Sequence, residues 1–327
     1  MTLDIEMPQL SGLQVLERLQ TMEHDTGVIM LSSLTSRGAT TTTQALSLGA
    51  FDFVLKPEGR TLQQSVAELK QSLLPRVRAF ASSRRRSLSS GAQNTNPVPL
   101  AQRILQHSSG ATSTITCGNE PLFFSPTIPP NPNIRPAAVA IGISTGGPSA
   151  LMNLIPKLPG TLRVPIFLVQ HMPPVFTRSL AQSLDEKSEV RVLEAENGMP
   201  VMPGEVYIAP GGFQMKVVRK GLKAEIEINN DPPENSSKPS VDYTFRSVTN
   251  VYGSQVLGVI MTGMGSDGLN GCRDIKRNGG SVITQNESSC VVYGMPRATF
   301  EAGLSDSVCE LNTIAPRIVE SLSGVRR

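Results

Sequence analysis

The chain has 327 residues, enough for two domains, and its 39% hydrophobic and 17% charged residues are those of a globular protein with a sizeable core, not of a disordered or fibrous one. A formal net charge of +3 is too small to argue for a nucleic-acid partner. Four widely spaced cysteines with no CxxC pair and no histidine cluster argue against a metal site, and with no signal-like N-terminus and no apolar run of membrane-spanning length they point to a cytoplasmic protein with reduced thiols and no membrane insertion.

Residues 1–75 alternate strand-like and helix-like pieces. Gly12 to Met22 puts Leu13, Val15, Leu16 and Leu19 on one helical stripe, and Val28 to Leu31 is a buried-strand run ending at Ser32-Ser33. Thr41 to Leu48 reads as a helix closed by Gly49, Phe51 to Leu55 as a strand ending at Lys56-Pro57, and Thr61 to Leu74 as an amphipathic helix. Polar groups therefore close the strands, namely Asp4, Ser32 and Lys56.

From 76 to 135 the composition shifts to Ser, Pro, Asn, Thr and Arg, too poor in apolar surface to offset its ordering entropy. It reads as a disordered linker with one short helix at Leu100 to Gln106. The basic run Arg76, Arg78 and Arg84 to Arg86 reads as solvated, and His107 and Cys117 are assigned no chemistry.

Residues 136–325 resume a compact α/β pattern, predicting a doubly wound, mostly parallel sheet. Ala137 to Ile143, Pro165 to Gln170, Val190 to Glu194, Val206 to Ala209 and Val256 to Met261 read as short strands, and Met215 to Val218 with Ala224 to Ile228 as a hairpin. Val241 to Val251, Gly268 to Arg277 and Leu311 to Leu322 read as helices.

The turn Gly142-Ile143-Ser144-Thr145-Gly146-Gly147 lies between an apolar run and a helical one, so it presents Ser144 at the C-terminal edge of the sheet. Gly-x-Ser-x-Gly fits a turn sharp enough to expose a nucleophilic serine, yet the same serine can simply cap the following helix, and a glycine-rich turn can cradle a phosphate. A nucleophilic serine needs a base and an orienting group. Of the three histidines, His24, His107 and His171, only His171 falls in this domain, and it too ends a strand. Asp267 follows the strand ending at Met261, where an ordinary helix cap is the competing reading. Three strand-to-turn junctions thus bring a serine, a histidine and an aspartate to one edge. Their order, Ser-His-Asp, differs from the Ser-Asp-His of α/β-hydrolases.

Two resemblances bear on these residues. Leu3-Asp4-Ile5-Glu6-Met7-Pro8, Gly12, Ser32 and Lys56-Pro57 resemble the second half of a response-regulator receiver domain of flavodoxin-like fold. That implies phosphorylation at Asp4, a switch hydroxyl at Ser32, a phosphoryl contact at Lys56 and a chemotaxis histidine kinase as partner. The first receiver strands have no counterpart, so the resemblance implies a shortened receiver without the acidic pair that binds Mg²⁺, an ion expected only for an intact one.

Ile141 to Gly147, Gln170 to Ser179, Met261 to Gly268 and Gln285 to Pro296, with Tyr207 to Gly211 and Pro239 to Asp242, resemble the chemotaxis protein-glutamate methylesterase (CheB-type) family over about 136–322. The resemblance implies a cytoplasmic, cofactor-free hydrolase acting on glutamate methyl esters and glutamines of methyl-accepting chemotaxis receptors. It makes Ser144 the nucleophile, His171 the base and Asp267 its orienter, with backbone N–H groups of Thr145 or Met264 facing the oxyanion. It also implies that the receiver lies over the active site. The alternatives are a phosphate-binding module and an inactive signalling adaptor from a truncated gene.

Overall fold

The computed structural model describes residues 1–22, 26–57, 61–90 and 135–323. The N-terminal unit runs β1 (Thr2–Asp4), α1 (Gly12–Gln20), β2 (Ile29–Ser32), α2 (Ser36–Ser47), β3 (Asp52–Leu55) and α3 (Leu62–Ser90), with its strands parallel in the order β1-β2-β3. The Ser11 hydroxyl accepts from the Gln14 N–H while the Gln14 side chain accepts from the Ser11 N–H, so α1 starts on a reciprocal cap.

Two boundaries differ from expectation. Helix α2 begins five residues before Thr41, on the Thr35 cap, and its threonines hide this because their hydroxyls bond back to carbonyls four residues earlier, a habit that lowers helix propensity. Helix α3 passes through Pro75 to Ser90, where the sequence suggested linker from residue 76. Beyond the proline it is anchored by Arg76, whose Nε donates to the nearly buried Asp52 Oδ2 at 3.1 Å, and by Phe80, which meets Phe51 edge-on at 4.9 Å. Arg76 is therefore a paired residue and not part of a solvated run. The predicted helix at Leu100 to Gln106, His24, His107 and Cys117 lie outside the described residues.

The second unit contains β4 (Ala138–Ile143), α4 (Gly147–Leu154), β5 (Ile166–Gln170), α5 (Phe176–Asp185), β6 (Arg191–Glu194), β7 (Glu205–Ile208), the hairpin β8 (Gln214–Lys220) and β9 (Lys223–Asn229), α6 (Val241–Tyr252), β10 (Val256–Ile260), α7 (Leu269–Arg277), β11 (Ser281–Gln285), α8 (Met295–Glu301), β12 (Ser307–Cys309) and α9 (Leu311–Ser323). Seven strands form one parallel sheet in the order β12-β11-β10-β4-β5-β7-β6. Every residue of β4, β5 and β10 is buried, as expected for parallel strands covered by helices on both faces. Along β4 the side chains alternate. Val139, Ile141 and Ile143 join the core under α4 and α5, while Ala138 and Ala140 face the core that contains Val241, Phe245 and Val248 of α6.

From β4 the chain passes to β5, goes out to the edge strand β6 and steps back to β7 between them, then returns to add β10, β11 and β12 on the other side. The sheet therefore changes direction between β4 and β10, and a crevice opens at the C-terminal ends of strands at such a switch. In register, Ile143 pairs with Gln170 and Gly142 with Ile260, so the residues that follow these strands are neighbours.

The N-terminal unit sits against α4 and α5. Phe53 stacks on Phe176 with centroids 4.7 Å apart, and the Ser149 hydroxyl donates to the carbonyls of Leu46 (3.2 Å) and Ala50 (3.4 Å). One buried apolar cluster includes Leu46 and Phe53 from one unit and Leu151 and Phe176 from the other. Phe53→Ala should empty the middle of this seam and destabilise the N-terminal unit by about 3 kcal/mol, read as an earlier unfolding midpoint in urea.

Candidate active site

The three junctions picked from the sequence converge. Ser144 follows β4, His171 follows β5, and Asp267 lies in the loop between β10 and α7. His171 bridges the other two, with Nδ1 3.2 Å from Ser144 Oγ and Nε2 2.8 Å from Asp267 Oδ2. A carboxylate can only accept, so the network assigns the ring proton to Nε2 and leaves the Nδ1 lone pair facing the serine hydroxyl.

Ser144 does not cap the next helix. The N-cap of α4 is Gly146 at φ +75, a left-handed conformation that glycine adopts without strain, and the turn it makes leaves the serine oxygen free of capping duty. The Ser144 N–H donates to the Thr262 carbonyl at 2.9 Å, tying the end of β4 to the segment after β10. Gly263 lies so near that a Cβ there would sit 2.9 Å from Ser144 Cβ and 2.4 Å from Met295 Sδ. The Gln170 amide donates to the carbonyls of Ser144 (3.0 Å) and His171 (3.3 Å), which locks the two junctions together.

Asp267 is 4% exposed. Its Oδ2 also accepts from the Val241 N–H (2.7 Å), and its Oδ1 accepts from Ser240 Oγ (2.9 Å), Asn235 Nδ2 (2.8 Å) and the N–H groups of Asp242 and Gly268 (both 3.1 Å). It is thus a helix cap, but for α6, the helix packed beside α7, which the sequence suggested. Burial pushes this carboxyl up, but the hydrogen bond and charge of His171, with the N–H groups of Val241 and Asp242, outweigh it and hold it below the usual carboxylate range. Among the described residues, no acceptor engages the backbone N–H groups of Thr145 or Met264.

Ser144, Thr145 and His171 form one wall of a cavity of about 520 Å³, and Leu55, Lys56 and Arg76 of the N-terminal unit line the facing wall. The second wall was legible only in part. Lys56 was singled out as a strand-end cation, whereas Arg76 lay hidden in a basic run. Asn235, Ser240 and Asp242, which surround Asp267, carried no signal of a role beyond the Pro239 to Asp242 match.

At the N-terminal sheet edge, Asp4 Oδ1 pairs with Lys56 Nζ at 2.9 Å and also accepts the Glu6 N–H. Ser32 turns away into α2, where its hydroxyl accepts from Thr42 Oγ1 at 2.8 Å. No group of three His, Cys, Asp or Glu that could hold a metal ion occurs among the described residues.

The CheB methylesterase family model matches residues 139–318 and the response regulator receiver domain model residues 1–67. The chain is 46% identical over 323 residues to the protein-glutamate methylesterase/protein-glutamine glutaminase of Desulfotalea psychrophila, covering 98% of this chain and 85% of that protein. It is 41% identical over 321 residues to the protein of the same name from Archaeoglobus fulgidus, covering 98% and 84%. Among solved structures, the Thermotoga maritima CheB methylesterase catalytic domain is similar at 42% identity and a TM-score of 0.56, covering 57% of this chain and 99% of that one.

Because the folded-state carboxyl of Asp267 titrates below its ordinary range, its contribution to stability is present above about pH 4 and is lost as pH falls through the depressed value. Asp267→Asn should therefore lose stability mainly above that range, so that the gap between wild-type and variant urea midpoints narrows as pH is lowered from 6 toward about 3.

Proposed function

The chain belongs to the CheB methylesterase family, and we propose that Ser144, His171 and Asp267 are the residues with which it works. It is a protein-glutamate methylesterase and protein-glutamine glutaminase of chemotaxis. The observation that carries the assignment of residues is the His171 bridge, an imidazole within hydrogen-bond reach of both a serine hydroxyl and a buried carboxylate.

Ser144 Oγ attacks the ester carbonyl of a γ-glutamyl methyl ester while His171 Nδ1 takes the hydroxyl proton. Asp267 keeps the ring in the tautomer that can do this and stabilises the imidazolium that forms. The tetrahedral oxyanion is met by the N–H groups of Thr145 and Met264. As the intermediate collapses, the imidazolium returns the proton to the leaving methoxide, methanol departs, and an acyl-Ser144 ester remains. Water, deprotonated by the same imidazole, then releases glutamate. With a glutamine side chain the leaving group is ammonia, and the acyl-enzyme is identical. No cofactor enters this chemistry.

The substrates on this reading are methylated glutamates on the cytoplasmic helices of methyl-accepting chemotaxis receptors, which places the enzyme in the cytoplasm. No helix among the described residues is long and apolar enough to cross a membrane. The wall of Leu55, Lys56 and Arg76 opposite Ser144 makes the N-terminal unit an obstacle to a receptor helix. That unit is therefore the regulatory part, with a chemotaxis histidine kinase as its candidate partner.

Ser144→Ala should lower methanol release from a methylated receptor by about four orders of magnitude or more with the fold retained. Wild-type turnover in that variant would put the nucleophile elsewhere, whereas a folded wild-type chain that releases no methanol would favour the adaptor reading. Residues 136–327 alone should turn over faster than the full chain, since the facing wall is gone. Equal rates would show that the N-terminal unit does not restrict access.

A further inference from the structure

Asp267 does not stand alone. Asp242, fully buried in the first turn of α6, points at the start of α7, where its Oδ1 accepts the Gly271 N–H at 2.7 Å and its Oδ2 accepts from Asn270 Nδ2 at 3.3 Å. Asp267 lies just before α7 and caps α6, while Asp242 lies in α6 and supplies the cap that Gly268, the side-chain-free N-cap of α7, cannot. The two carboxylates thus hold each other's helices. Asn235 completes the clasp, its Nδ2 donating to Asp242 Oδ2 and to Asp267 Oδ1, both at 2.8 Å. For this it is held at φ +52, in the left-handed region that asparagine tolerates better than most residues.

We propose that Asn235 and Asp242 are positioning residues for the esterase reaction, fixing the Asp267 carboxylate against His171 and adding a second negative charge behind it. The inference rests on the triad assigned above. All the contacts to Asp242 come from donors, the Gly271 N–H and the amides of Asn235 and Asn270, which suits an ionised carboxylate. Burial pushes this carboxyl up most strongly, the Gly271 N–H pulls it down and the neighbouring Asp267 pushes it up again, so that it titrates above the usual carboxylate range. The other titratable groups facing it are Glu234 from the preceding loop, Arg246 one turn along α6, and Cys272 on α7. Arg246 is held by both oxygens of Glu234, at 3.1 and 2.8 Å, and so is largely compensated. Once ionised, Asp242 adds a negative field behind Asp267 that favours the imidazolium form of His171 that the reaction generates.

The reaction then feels each partner differently. Without the Asn235 amide, Asp267 Oδ1 loses a donor, and the carboxylate gains freedom to rotate away from His171 Nε2. Without the Asp242 charge the imidazole protonates less readily, and because an asparagine there keeps only one acceptor oxygen, part of the clasp to Gly271, Asn235 and Asn270 loosens as well.

The test uses the full-length enzyme and a receptor cytoplasmic fragment methyl-esterified at glutamate, with methanol release followed from pH 5 to 9. Asn235→Ala should lower kcat roughly 10-fold with KM unchanged, because an ordering partner is lost without loss of substrate contacts. Asp242→Asn should move the acid limb of the kcat/KM profile roughly half a pH unit toward lower pH. Circular dichroism melts record the folded fraction of each variant. Wild-type kcat and an unmoved acid limb, or losses that only track the folded fraction, would overturn the proposal. The Ser144→Ala enzyme run alongside separates the two levels: if it is inactive while these two variants behave as wild type, the triad stands and the positioning role falls.

Discussion

A buried negative charge organises the active site. Moving a carboxylate out of water costs several kcal/mol unless it is paired and hydrogen-bonded, and Asp267 recovers that cost through donors on four separate segments: the His171 ring, the Asn235 loop, the start of α6 and its own helix entry. Each donor is also a constraint. Because the carboxylate sits at the positive end of α6, the helix dipole adds to the attraction, and α6 is fixed against the sheet at the C-terminal ends of β4 and β10. The imidazole therefore has a rigid reference on one side and a serine set by strand register on the other.

How much of this was legible in the sequence depends on whether a residue advertises itself locally. Ala137 to Ile143, Pro165 to Gln170 and Val256 to Met261 read clearly because parallel strands buried on both faces are nearly continuous apolar runs. Polar residues at their ends stand out for the same reason, which is how Ser144, His171 and Asp267 were found. Strands β11 and β12 and helices α5 and α8 had no such signal. The motif Gln170 to Ser179 was read for its chemistry, and its helix begins inside that motif. Asn235 was invisible because its value lies in two carboxylates 7 and 32 residues away that only the fold brings together. The extension of α3 past Pro75 was missed because Arg76 looks solvated until its partner Asp52, 24 residues earlier, is seen to be buried.

The seam between the two units is uneven. Away from the triad it is packed, with Phe53 stacked on Phe176 and apolar side chains from both units in one cluster. At the triad it opens into the cavity bounded by Lys56 and Arg76. The packed part anchors the N-terminal unit, while the open part leaves Ser144 room for a side chain and little more. A motion that widened the open end while the apolar contacts at the other end stayed in place would be a hinge rather than a full separation.

The double duty of Asp267 has a bearing on how such an enzyme decays. A serine at the end of β4 holds no helix in place, so a gene freed from selection for hydrolysis can exchange Ser144 at little structural loss. Asp267 is different, because its removal frees the starts of two helices at once. A descendant that had become a pure signalling scaffold would thus shed its hydroxyl early and carry the aspartate long afterwards as a fossil of the lost chemistry.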